Sequence, residues 1–180
     1  MRYFCAPVLA VLALSACGGE ASVDADVDGD GTVTSEEMRE AVSEAGGALK
    51  PEPGQYSVTT KLTKIEAPGA PEMMRNMMGA AMDNTTQYCL TQEMADRGFE
   101  DSIKQGQNET CKVDTFTIEG PDVDMAMTCA EGGGTMTVAM KGTVTSTSSQ
   151  LTMTMDGSVP ELGSVLMQMD VQQERIGACE

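Results

Sequence analysis

The chain contains no histidine and no tryptophan, and only three tyrosines and three phenylalanines in 180 residues. Without histidine there is no Ser–His or Cys–His pair to activate a nucleophile. The six cysteines include no Cys-x-x-Cys pair, so a zinc or dithiol redox site has no foundation either. A Ser-x-x-Lys arrangement is missing too, since Ser102 and Lys104 stand too close together to imitate it. Basic residues are scarce, 11 against 28 acidic ones, for a formal charge of -17. Such a surface repels nucleic acid and anionic lipid heads and attracts cations. The acidic residues of the C-terminal part are scattered over loops and polar strand faces, with no pair set for glycosidase chemistry. No enzyme is expected.

Long apolar runs are also rare. The one that opens the chain, from about Phe4 to Leu14 after a single Arg2, reads as a secretory signal too short for a stable membrane span. Leu14-Ser15-Ala16-Cys17 closes it and resembles the bacterial lipobox. That resemblance implies cleavage after residue 16, lipid on Cys17 and acylation of the new amino group. Several acyl chains anchor stably where one is marginal, each buried methylene contributing about 0.8 kcal/mol. Gly18 follows where aspartate would retain such a protein at the inner membrane, so the expected address is the periplasmic side of the outer membrane. Loss of Arg2 with the signal makes the mature side chains one charge more negative than the -17 of the full chain.

What is abundant after that is methionine, 16 residues, and threonine in alternation. Tyr56, Val58 and Leu62 share one face of an extended segment. Met136, Val138, Met140 and Val144 alternate with polar residues, then Leu151, Met153 and Met155, then Val165, Met167, Met169 and Val171. Period two with one apolar and one wet face predicts antiparallel strands. Residues 70–82 and 91–99 read as short helices, the first with Pro71 at its start and Met74, Met77, Met78 and Met82 at helical spacing. Thioethers favour Cu(I), yet methionine is also the main apolar residue of the strands. A Met-rich helix covering a Met-rich sheet is the simpler account.

Four cysteines remain for the folded part, an even number in an oxidising compartment, which predicts a disulfide framework. A turn at Gly120-Pro121 folds the two flanking strands so that Cys111 lies opposite or nearly opposite Cys129. Cys89 would then pair with Cys179, although spacing alone leaves the other two connectivities open. The segments from Lys50 to Met74, the stretch around Cys89, single cysteines at 111 and 129, the 134–157 hairpin and the terminal Arg-Ile-Gly-Ala-Cys resemble the bacterial family catalogued as domain of unknown function 3617. The resemblance covers about Pro51 to Glu180. It implies a small secreted β domain and supplies no catalytic residues.

The most specific motif lies ahead of that domain. From Asp26 to Glu37 the sequence matches an EF-hand loop at every ligand position. Asp26, Asp28 and Asp30 are the first three ligands, and Gly31 takes the turn. Thr32 would give its carbonyl, Thr34 would act directly or through water, and Glu37 would supply both carboxylate oxygens. No helix precedes the loop, and no second loop follows to pair with Val33, so a half EF-hand of about 10⁻⁴–10⁻³ M affinity is expected. Thr34 and Glu37 also form a capping box for a helix with Met38, Ala41, Val42 and Ala45 on one face.

The expected organisation is therefore a signal over 1–16, a lipidated tether with a calcium loop and short helix over 17–50, and a disulfide-bonded domain over 51–180. The fold class is mainly β, an antiparallel curved sheet or open barrel with one or two short covering helices. The expected partners are the membrane, through Cys17, and calcium. The expected role is a non-enzymatic binding or structural module of the cell envelope. The alternative is a periplasmic carrier holding an apolar ligand or a metal between the sheet and the Met-rich helix.

Overall fold

A computed structural model describes residues 22–46, 49–96, 110–131, 133–159 and 163–179. The signal, the lipobox, Cys17 and the end of the second expected helix lie outside the described residues. The elements run β1 (Ser22–Asp24), α1 (Ser35–Glu44), β2 (Gly54–Glu66), α2 (Glu72–Met82), β3 (Asn84–Leu90), β4 (Cys111–Glu119), β5 (Asp122–Glu131), β6 (Gly134–Val144), β7 (Ser148–Val159) and β8 (Gly163–Gly177). A helical turn at 92–96 follows β3. The eight strands among the described residues join one open antiparallel sheet in the order β1-β4-β5-β6-β7-β8-β2-β3. The expected mainly β, disulfide-stapled architecture is what the chain adopts.

Strand register turns the alternation of the sequence into rows across the sheet. Directly opposed residues share a face, and one row runs Phe116, Met125, Met140, Met153, Met169, Leu62. The next runs Val113, Met127, Val138, Met155, Met167, Ile65. Val113 and Phe116 are three residues apart, as are Leu62 and Ile65, and an odd spacing would put each pair on opposite faces. A register shift between Val113 and Thr115, and another between Leu62 and Lys64, returns both members to the apolar side. The other face is wet, with Lys141 Nζ 2.6 Å from Asp124 Oδ2 and the Thr152 hydroxyl donating to Asp170.

Two helices cover opposite ends of the apolar face. Met38 and Ala41 of α1, with Ala25 and Val33 from the preceding loop, pack onto Val113, Phe116, Ile118 and Val123. The segment expected as a tether thus shares a hydrophobic cluster with the sheet. At the other end Met78 and Met82 of α2 pack with Ala67, Ala70, Val165 and Met167. Met74 and Met77, expected on that same face, are instead 44% and 67% exposed, and Met73 is 74% exposed. The helix rests on the sheet near Gly79, where an added Cβ would lie 3.6 Å from Leu62, and this side carries Met78 and Met82. The remaining methionines project past the contact. Apart from Val123, the described inward residues of β5, β6 and β7 are only half-buried.

The start of β2 is fixed to the β6–β7 turn. Tyr56 is fully buried, and its hydroxyl lies 2.7 Å from the Glu52 carbonyl and 3.1 Å from that of Ser146. The Glu52 N–H donates to the same Ser146 carbonyl, and Arg175 Nε donates to Pro53 O at 2.9 Å. Beside this knot the disulfide Cys89–Cys179 joins β3 to the tail after β8, while Cys111–Cys129 bridges directly opposed residues of β4 and β5. Both pairings agree with the hairpin argument.

Candidate metal centre

The loop between β1 and α1 gathers three of the six expected ligand residues. The carboxylates of Asp26, Asp28 and Asp30 each offer an oxygen within 4.8 Å of the others. Backbone geometry causes this. Gly31 has φ of 77°, the left-handed region that glycine enters without strain, and its N–H donates to Asp26 Oδ2 at 3.1 Å. The Asp30 N–H donates to Asp28 Oδ1 at 3.1 Å, and the Thr32 N–H donates to Asp30 Oδ1 at 2.8 Å. Each aspartate is thereby folded back over the turn.

Asp26 Oδ1 is buried and has no hydrogen-bond partner among the described residues. A buried anionic oxygen without a partner carries a large desolvation penalty. A cation within the three-carboxylate group would remove that penalty and relieve the mutual repulsion of the group. Hard oxygen donors closely spaced on a turn suit calcium better than any soft metal.

Thr34 and Glu37 stand where the loop enters α1. The Thr34 side chain accepts from the Glu37 N–H at 3.3 Å, and Glu37 Oε2 accepts from both the Thr34 N–H and its hydroxyl, at 2.8 and 2.7 Å. These bonds, the backbone one first, hold the Glu37 carboxyl below its ordinary value of 4.5. The Val27 N–H, between two loop aspartates, acts in the same direction, so the carboxylate faces the loop. Glu37 nonetheless stands outside the three-carboxylate group. The contribution of a depressed carboxylate is present above its unfolded value and is lost as pH falls through the lower folded one. In calcium-free buffer, protection of the Glu37 and Thr34 amides from hydrogen exchange should therefore persist at pH 5.5 and fall as acid is added below about 4.5. Glu37→Gln should remove that pH dependence.

Val33, at the eighth position of the loop, has a partner after all. Its N–H donates to the Val113 carbonyl at 2.8 Å, the two residues form an isolated antiparallel bridge, and both side chains are fully buried. In paired EF-hands a second loop would occupy that place. Here β4 does, beyond the three β1–β4 pairs from Ser22 to Asp24. The absence of a second loop in the sequence therefore leaves Val33 docked rather than bare.

Residues 51–179 match the family described as "Protein of unknown function (DUF3617)", which is well over half of the chain, and the chain belongs to that family. The match begins after α1, so the acidic loop lies outside it. No curated protein and no solved structure matches the chain.

Proposed function

We propose that this family member is a lipid-anchored protein of the bacterial envelope in which a calcium ion fastens the membrane-proximal loop to a non-enzymatic β module. The observation that carries the calcium reading is the group Asp26, Asp28 and Asp30, with Asp26 Oδ1 buried and without a hydrogen-bond partner among the described residues. The docking of Val33 on β4 supports it, because a preformed loop does not have to be ordered by the ion. Glu37 completes the shell by turning its carboxylate from the Thr34 cap toward the ion. The non-enzymatic reading is supported by the missing histidine and by the bridging of all four cysteines of the domain.

The envelope address rests on the lipobox ending at Cys17. Five residues take the chain from Cys17 to Ser22 at the start of β1, a reach of roughly 18 Å when fully extended. The β module would therefore be held close to the headgroups. A net charge of -17 would otherwise push it away from an anionic surface, and a bound cation at the near end reduces that repulsion.

Calorimetric calcium titration of a secreted Cys17→Ser chain tests the metal reading. Saturable binding with Kd of about 10⁻⁴–10⁻³ M is expected, weakened at least tenfold in Asp26→Asn and in Glu37→Gln. Absence of saturation at several millimolar calcium would leave the loop as an acidic spacer.

A further inference from the structure

Beside α1 lies a cavity of about 390 Å³ on the apolar face of the sheet. We propose that it binds an uncharged lipid-like molecule, a single hydrocarbon chain or compact apolar ring bearing at most a hydroxyl, ester or amide group. The carrier reading of the sequence placed such a ligand beneath the Met-rich helix. That end is filled by Met78, Met82 and Val165, and the cavity is instead roofed by Met38 of α1 and Leu49.

The shape is that of a site rather than a flat patch. Strands β4, β5, β6, β7, β8 and β2 all contribute to one wall, from Phe116 on β4 to Tyr56 on β2. Laid flat, six adjacent strands would span roughly 24 Å at about 4.8 Å per step. The lining of one cavity by all six fits a sheet that curls around it. Its volume falls within the range of about 300–1,000 Å³ typical of small-molecule pockets, and is more than twice the roughly 150 Å³ of an apolar cavity that takes up benzene.

Charge chemistry selects the ligand class. None of the described residues lining the cavity is acidic or basic. A fatty-acid carboxylate or a phosphate would meet no cation in that lining, and Arg175, opposite Tyr56, donates to the Pro53 carbonyl instead, inside a protein of net charge -17. A second copy of the chain brings the same negative charge, which disfavours it as the occupant. The polar groups, Ser149 and Gln173 among them, collect where β7 and β8 pair, and these two residues oppose each other across that pair. They suit a neutral hydrogen-bonding end group. Met38, Met125, Met127 and Met140 line the apolar part, and flexible thioether chains adapt to ligands of several shapes.

The proposal is independent of the calcium reading and is tested in calcium-free buffer on the secreted Cys17→Ser chain, stripped of copurified lipid. The probes are the uncharged fluorophore N-phenyl-1-naphthylamine and, as competitors, monolaurin and laurate at pH 8. Saturable fluorescence enhancement is expected, with monolaurin displacing the probe at least tenfold more effectively than laurate. Leu151 faces Gly142 across the β6–β7 pair, so Leu151→Trp has room to project an indole into the cavity, and it should weaken probe binding at least tenfold. The monolaurin–laurate comparison needs no variant and stands even where Leu151→Trp fails to fold. Lack of saturation, equal or stronger displacement by laurate, undiminished binding in a folded Leu151→Trp protein, or ligand-free dimerisation covering this face in sedimentation would each overturn the proposal.

Discussion

Replacing both Cys89 and Cys179 by serine should lower stability by about 4–5 kcal/mol, against about 3 kcal/mol for the Cys111→Ser/Cys129→Ser pair. The two bridges differ in the chain they enclose, with sequence separations of 90 and 18. Loop-closure entropy in the unfolded chain grows with the logarithm of that length, which gives a gap of about 1.4 kcal/mol. The native surroundings act in the same direction. Cys111 and Cys129 are already opposed at one end of the β4–β5 ladder, so the hairpin retains its register without the bridge. Cys89 and Cys179 have no ladder between them. Gln55 of β2 pairs with Cys89 on one side and with Gly177 on the other, and the bridge closes over that strand. Urea unfolding of the two double variants under non-reducing conditions measures both values. A hairpin variant as unstable as the other would show that the length of the enclosed chain does not govern the difference.

Gly142→Ala should cost about 3–4 kcal/mol, a large effect for one methyl group. Gly142 sits in β6 with φ of 152°, where L side chains rarely go, and a Cβ there would overlap the Gln150 carbonyl of β7. The neighbour is backbone in a paired strand, so it cannot swing aside. Gly133 provides the comparison. Its φ is 81°, yet nothing among the described residues lies within 4 Å of an added Cβ. Gly133→Ala should thus lose only the left-handed strain, about 1–2 kcal/mol. Thermal unfolding of both variants separates conformational strain from steric overlap. Equal losses would mean that β7 yields to the new methyl group.

The sheet was legible because its apolar residues keep period two through β6, β7 and β8, and because a Gly-Pro turn lies midway between Cys111 and Cys129. Legibility failed wherever phase or partner is decided in three dimensions. Ile65 falls out of step with Tyr56, Val58 and Leu62, and only the register shift after Leu62 shows that it rejoins them. Three residues containing one valine gave no sign that Ser22–Asp24 would pair with β4. The methionines of α2 surround too much of the helix for periodicity to single out the buried side. In the acidic loop the order of the expected ligands was plain from spacing. The partner of Val33 was not, because Val113 lies 80 positions further on with nothing local to mark it. The cavity left no sequence signal at all, since it depends on how the sheet curls and on which strands the helices leave half-covered.

The strand order also sets a timetable. Each pair from β4–β5 to β7–β8 joins neighbours in sequence, so this meander can assemble progressively from local pairs. Strand β2 finds one neighbour early, in β3, but a two-stranded ribbon is marginal by itself. Its other neighbour is the last strand, with Gln55 opposite Gly177. Residues 54–90 therefore gain their ladder to the meander only when the last strand is in place, and Cys89 has no native partner before Cys179 arrives. A chain interrupted before β8 can form the first bridge and not the second, so the redox state of Cys89 reports whether the molecule has been finished.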